Sequence, residues 1–346
     1  MTPTMPARSG RLDRRRLVTA VARFREAGIL VVLLLLVAAV SLRNSSFLAP
    51  ANLEGIALDI TILTVLAIGE TVVILTRNID LSVGSVLGFS ALFVGVVFKA
   101  HPGLPVVLAL GLGAAVGLAF GLGNGLLVAV GQVPAIIATL GTFGIYRGLV
   151  FIYSAWRNQR EITAADLPND FLNLATETWL GIPVFLTIPA ILLIAAAYWL
   201  RQTRSGREVY AVGGNPVAAR LAGISTVRTV LIAFAISGAL AGLGGVLYTA
   251  RYAQVDTLAG AGLELNVIAA VVIGGTSTLG GSGGILGTLI GCVLLGVINN
   301  ALILVSSPGT AQFWQRAVYG LIILGAVVAD ALISRRLQKA LRRRHT

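Results

Sequence analysis

The sequence predicts an all-α polytopic membrane protein with about ten transmembrane helices, some broken by glycine, and with both termini in the cytoplasm. Three observations carry that expectation. Of 346 residues, 56% are hydrophobic and only 12% charged, and the mean hydropathy is +0.90, outside the range of ordinary soluble domains. The apolar residues gather into runs near the roughly 20 that a helix needs to cross the hydrocarbon core. The positive charge falls between or beyond those runs: seven arginines in the first 25 residues, five in residues 201–228 and six Lys/Arg in residues 335–344, together 18 of 26.

In chain order the candidate spans are residues 27–43, 56–76, 83–100, 104–130, 133–153, 183–201, 229–250, 265–279, 285–305 and 313–333. The arginine-rich start resembles a secretion signal, but many spans follow it and no A-x-A site ends the first run, so it reads as an uncleaved first helix. Ten crossings from an inside N-terminus return the basic C-terminus inside and place residues 201–228 there too, as the positive-inside rule asks. The run at 265–279 is the weak member. Alone it reads as re-entrant; parity asks for a crossing, so a Gly-interrupted crossing is expected, of the kind tolerated where broken backbone packs on protein or lines a cavity.

The chain therefore divides into a basic cytoplasmic segment at 1–26, a single transmembrane domain at 27–333 and a basic cytoplasmic tail at 334–346. Forty-one glycines among so many apolar residues suit close packing of helices. The longest outside loop, 154–182, carries Glu161, Asp166 and Asp170, and also Glu177, against Arg157 and Arg160. It has no strong periodicity and reads equally as a solvated loop or as a docking surface for an extracytoplasmic partner.

Several function classes fall away. Net charge of +12 admits a nucleic-acid partner, but its location at the edges of apolar runs argues against one. One cysteine, Cys292, and two distant histidines, His101 and His345, offer neither a disulfide framework nor a metal site. No catalytic pattern is present, no cofactor is expected on this chain, and no G-x-x-x-x-G-K-[ST] loop could cradle ATP phosphates. If ATP drives the protein, another chain binds it. The lack of an intramembrane ladder of ionisable residues argues against a proton-coupled carrier.

Polar residues within the apolar runs remain. TRNIDLSVGS at 76–85 places Asn78, Asp80 and Ser82 behind Arg77, between two spans. Two readings stand: a tight turn in which Asp80 caps the next helix by accepting from the N–H of Ser82 or Val83, or a helix break near a translocation path offering hydrogen bonds to a polar solute. Glu70, Asp59, Asn124, Asn266, Asn299 and Asn300 lie singly along other runs, as interhelical hydrogen-bonding groups or as the lining of a wide, weakly binding pore. Together they suit a polar cargo rather than a lipid.

GGNPVAARLAGI at 213–224 is punctuated as a short helix outside the membrane. Asn215 is a good N-cap, Pro216 fits the first helical position and Gly223 the end. Val217, Leu221 and Ile224 form an apolar stripe, with Arg220 off it. Such a helix suits a groove on a cytoplasmic partner or the surface of anionic lipid.

NIDLSVGS (78–85), PAIIATLGTFGIYRG (134–148), GREVYAVGGNPVAARLAGI (206–224), SGALAGLGGVLYTAR (237–251) and GGTSTLGGSGGILG (274–287) together resemble the membrane permeases of ribose-type sugar ABC importers, over nearly the whole chain beyond residue 30. Many members of that family have Gly-Gly where this chain has Arg77-Asn78. With LGTFGIYRG, AADLP (164–168) and QFWQRAV (312–318), this brings the chain closer to the permeases for rhamnose and for the autoinducer-2 signal.

The resemblance implies a multi-pass protein of the bacterial inner membrane that imports a monosaccharide or similar small polyol. It implies pairing with a second permease subunit, the same or different, with a cytoplasmic ATPase carrying two nucleotide-binding domains, and with an extracytoplasmic sugar-binding protein. Asn215, Pro216, Ala219, Arg220 and Gly223 become ATPase-coupling residues. Asn78, Asp80, Ser82, Thr139, Thr142, Glu264 and Asn266 become candidates for the translocation path. Two alternatives from other classes are a self-sufficient secondary carrier and a non-transporting membrane scaffold.

Overall fold

A computed structural model describes residues 28–179, 182–305 and parts of 310–328. The basic segment at 1–26, the tail at 334–346 and about half of the last expected span lie outside the described residues. Seven described helices are long and apolar enough to cross a membrane: α2 (Pro50–Leu75), α3 (Val83–Ala100), α4 (Val106–Gly125, running on as a π-turn to Val130), α5 (Ala135–Trp156), α7 (Val184–Gln202), α10 (Thr226–Tyr252) and α12 (Ile285–Val305). Two shorter apolar helices, α1 (Gly28–Arg43) and α11 (Leu263–Ile273), accompany them. The protein is thus a mostly helical, polytopic membrane protein.

The helices begin where their sequences permit. Pro50 occupies the first turn of α2, where its missing N–H costs nothing. Ser225 caps α10 through Oγ, which accepts from the Arg228 N–H, and α10 ends at Ala253 in a left-handed conformation, φ 52°. At 26 and 27 residues, α2 and α10 run about 40 Å each and form the centre of the bundle. Val65, Leu66, Leu87, Ala91 and Leu247 are buried between them and α3.

α4 lies against α10 along a seam of glycine. Gly113, Gly117 and Gly121 on one helix face Gly238 and Gly242 on the other, so that a Cβ on any of them would strike the opposing backbone. Small residues allow such close approach, which is the main source of helix adhesion in a lipid environment. Further out, Asn52 on α2 and Asn300 on α12 exchange amide hydrogen bonds at 2.8 and 3.0 Å, and Thr71 meets Thr288 at 2.7 Å.

The segment at 265–279 is interrupted at glycine, as its sequence suggests. α11 stops at Ile273 after 11 residues, about 16 Å, roughly half of the hydrocarbon core. An irregular segment with Gly260 and Gly262 at positive φ precedes it. The loop after it runs through Gly275, Gly280 and Gly281, also at positive φ, to the end of α2, where the Gly281 N–H donates to the Leu75 carbonyl at 2.9 Å.

Residues 157–179 are folded, together with 182–183. β1 (Glu161–Ile162) pairs antiparallel with β4 (Val255–Asp256), and β2 (Thr178–Trp179) with β3 (Ile182–Pro183). Between them α6 (Asn169–Asn173) buries Phe171 against Phe98, ring centroids 4.6 Å apart. Asp166 closes a capping box with Thr163 and pairs with Lys99 at 2.8 Å. That hydrogen bond, reinforced by the Thr163 N–H, holds the Asp166 carboxyl below its ordinary value. Elements of two to five residues are too short to leave a period in the sequence.

Candidate functional site

Two neighbouring features contain most of the expected residues. The first is an arm outside the long helices. Thr203 caps α8 (Arg204–Gly214), its Oγ1 accepting from the Gly206 N–H at 3.1 Å. Asn215 then breaks the helix and caps α9 (Pro216–Leu221), Oδ1 accepting from Val217 and Ala218 N–H at 3.1 and 3.0 Å. α9 ends in a Schellman arrangement: Ile224 N–H reaches the Ala219 carbonyl and Gly223 N–H that of Arg220, with Gly223 at φ 78°. Of the residues assigned to coupling, Ala219 is buried at 4% exposure, and Asn215, Arg220 and Gly223 are exposed.

The apolar stripe does not pack inward. Val217 is 57% exposed and Leu221 85%, so α9 holds Ala219 against the protein and shows two large apolar side chains to the outside. Behind it lies a cavity of about 220 Å³ lined by Arg77, Asn78, Gln132, Pro216 and Arg220, among others. α8 cannot shift freely: a Cβ at Gly213 would run into the Leu75 carbonyl, and Tyr210 Oη donates to the Gly283 carbonyl at 3.2 Å.

The second feature is a buried polar network at the 76–82 turn. Asp80, 1% exposed, accepts from Ser82 N–H at 2.9 Å and Ser82 Oγ at 2.7 Å, from Asn124 Nδ2 on α4 at 3.4 Å and from Ser237 Oγ on α10 at 3.3 Å. Asn124 also donates to Ser82 Oγ at 2.8 Å and accepts from Tyr146 Oη at 3.1 Å. Glu70 Oε1 accepts the Asp80 N–H at 3.1 Å, while its buried Oε2 has no partner among the described residues. Thr139 Oγ1 donates to the Ile79 carbonyl at 3.1 Å and Thr142 Oγ1 to that of Thr139 at 3.3 Å.

Asp80, Ser82, Thr139 and Thr142 therefore meet inside one chain, all buried. Asn78 turns away, its amide on Thr76 at 2.9 and 3.1 Å. Glu264 stands beside Gly84, its Oε1 accepting the Gly262 N–H at 3.2 Å, and Asn266 is half-buried on α11. Sequence reasoning missed Tyr146, Ser237 and Arg147. Arg147 ties α5 to three carbonyls, Ala259 at 2.8 Å, Thr257 at 3.2 Å and Gly84 at 3.3 Å. An arginine inside the apolar run LGTFGIYRGLVF was the available signal, since a charge at such depth needs a partner.

A bundle of apolar helices with a buried polar network between them, and a capped amphipathic arm outside it, defines a membrane transport subunit with a place for a partner. Residues 52–327 match the family described as the permease component of a branched-chain amino acid transport system. The chain belongs to that family: it is a permease component of bacterial import systems and a multi-pass protein of the inner membrane. It is 40% identical over 307 residues to the ribose import permease of Escherichia coli K12 (87% of this chain, 92% of the relative). It is 38% identical over 302 residues to the ribose import permease of Haemophilus influenzae (87% and 91%). It is 37% identical over 319 residues to the autoinducer-2 import permease of Salmonella choleraesuis (92% and 89%). No solved structure matches it.

Proposed function

We propose that this chain carries a monosaccharide or a similar small polyol, of the ribose, rhamnose or autoinducer-2 kind, into the cytoplasm as the non-catalytic half of an ATP-binding-cassette importer. A separate subunit with two nucleotide-binding domains hydrolyses the ATP, an extracytoplasmic binding protein delivers the solute, and a second permease subunit completes the membrane unit. Ten crossings then put both termini and the α8–α9 arm on the cytoplasmic side and residues 157–183 outside. The permease itself needs no cofactor.

The observation that supports this reading best is α9: six residues, capped at both ends, with Val217 and Leu221 exposed. An ordered helix that withholds its apolar side chains from its own protein is built to lay them in a groove elsewhere. The solute path runs beside residues 78–85, 139–142 and 264–266, where Asn78, Glu264 and Asn266 offer polar atoms to a hydroxylated solute and Asp80, Ser82, Thr139 and Thr142 shape the wall behind. The relatives named for ribose and autoinducer-2 favour such a cargo over the amino acids in the family's description.

The test is co-purification with the ATPase encoded beside it, wild type against Arg220→Glu, followed by ATP hydrolysis with sugar-loaded binding protein. Association lost on charge reversal, with sugar-stimulated hydrolysis in the wild type, is the expected result. Uptake into liposomes by the permease alone would refute the reading in favour of a self-sufficient carrier.

A further inference from the structure

Arg77 sits where the chain has least freedom to hold it. Its φ is 68°, a left-handed conformation that glycine takes readily and a residue with a Cβ does not. Its guanidinium spans a gap between elements: Nε donates to the Gly213 carbonyl at 2.5 Å and Nη2 to the Gly214 carbonyl at 2.8 Å. Those are the last two carbonyls of α8, which lack intrahelical partners and carry the negative end of the helix dipole. A planar fork suits two adjacent acceptors, and a cation suits their charge. Gly280, from the loop after α11, packs against the same side chain.

The other end of the turn is fastened just as firmly. One residue before Asp80, the Ile79 carbonyl accepts from Thr139 on α5. Asp80 itself holds Ser82 at the head of α3, Asn124 on α4 and Ser237 on α10. The 76–82 turn thus grips the α8–α9 arm at Arg77 and four membrane helices at Ile79 and Asp80.

We propose that Arg77 is a positioning residue that transmits displacement of α9 into the 76–82 turn and thence to α4 and α10. The inference rests on the reading of α9 as the helix that docks the ATPase. Arg77 touches neither solute nor nucleotide; it makes the arm and the turn move as one piece.

The test is Arg77→Gly in the full chain, reconstituted in nanodiscs with its ATPase and binding protein. Glycine accepts φ 68° without strain, so the fork is removed while the backbone is relaxed. ATPase association and the melting temperature should stay near wild type. Binding-protein-dependent uptake should fall about fivefold or more, and hydrolysis should lose most of its response to loaded binding protein. Arg77→Lys, which keeps the charge without the fork, should fall between. Amide exchange in 208–222 and in 76–82 should quicken together.

Uptake and stimulation within twofold of wild type would overturn the proposal, as would a loss of association as large as that of Arg220→Glu, which would make Arg77 part of the docking surface. Should Arg220→Glu leave association intact, the docking reading fails on its own terms. The link is then judged by exchange alone, and quickening confined to 208–222 would refute it.

Discussion

The glycine seam between α4 and α10 allows a sharp test of what holds this bundle together. A methyl group at Gly117 would collide with the Gly238 carbonyl and stand 2.7 Å from both Cα and N of Gly242, where ordinary contact begins at 3.4 Å. All three obstacles are backbone, so no rotamer change relieves them and the helices must part by about 0.7 Å or more, losing dispersion along the seam. Overpacking of this kind costs about 1–3 kcal/mol, and in a chain of this size each kcal/mol moves the melting temperature by roughly 2–4 °C. Gly117→Ala should therefore melt about 2–12 °C below wild type in detergent, followed by loss of the monodisperse peak on size exclusion. Gly111, on the same helix, supplies the control. A Cβ there meets nothing within 4 Å, and Ala in a helix interior gains about 0.5–1 kcal/mol over Gly, so Gly111→Ala should melt at or slightly above wild type. If Gly117→Ala is as stable as Gly111→Ala, the seam is not what joins the two helices.

Other outcomes follow from single residues. Asp80→Ala strands four donors in a dry site at about 1–3 kcal/mol for each one left unmade, and should destabilise the protein and abolish uptake more completely than Asp80→Asn, whose carbonyl still accepts from Ser82; equal melting curves for the two would refute that ranking. Asn215→Ala removes the cap of a six-residue helix at about 0.5–2 kcal/mol, and should speed amide exchange at Val217 and Ala218 while leaving α10 unchanged; unaltered exchange would mean that α9 is held by its packing alone. The Asp166 carboxyl, held below its ordinary 3.8 chiefly by Lys99, contributes its stabilisation fully above that value and loses it as the pH falls through the lower, folded one. Pepsin cleavage of loop 157–183 should then rise over that acid window in the wild type and stay flat in Asp166→Asn.

How much of this was legible in the sequence depended on how local the cause was. The spans expected at 83–100 and 285–305 coincide with α3 and α12, because a long apolar run flanked by turn residues leaves a helix little choice. α9 was equally readable, since Asn-Pro at one end and Gly at the other are local signals with local mechanisms. The loop at 157–183 was not, because β1 finds its partner about 95 residues away in β4 and Phe171 finds Phe98 across the chain. The shortness of α11 was legible in its brief apolar run, but its exact end was not, because Gly274 packs closely on Gly287 and Thr288 of α12, a cause that lies in another helix. Arg147 was passed over for the same reason: its three carbonyl partners belong to a loop and a helix that only the fold brings near.

Of the two alternatives that the sequence left for Asp80, the geometry of the cap is present, and it is embedded in a larger network. The Asp80 carboxylate does accept from the Ser82 N–H, as a cap would, yet a cap alone has no need of a site that is 1% exposed and reached by two more helices. Those helices arrive by way of the glycine seam. Ser237 directly precedes Gly238, and Asn124 lies three residues beyond Gly121, the glycine that faces Gly238 across the seam. Only with α4 and α10 in backbone contact can a short Ser and a short Asn from opposite helices reach the same carboxylate. The seam therefore sets the geometry of the network, and the network fixes the turn that Arg77 ties to the arm. A substitution that parts α4 from α10 should loosen the hold on Asp80 in the same step, so Gly117→Ala should quicken amide exchange in 76–82 as well as lower the melting temperature. A lower melting temperature with unchanged exchange there would separate the adhesion of the two helices from the coordination of the carboxylate.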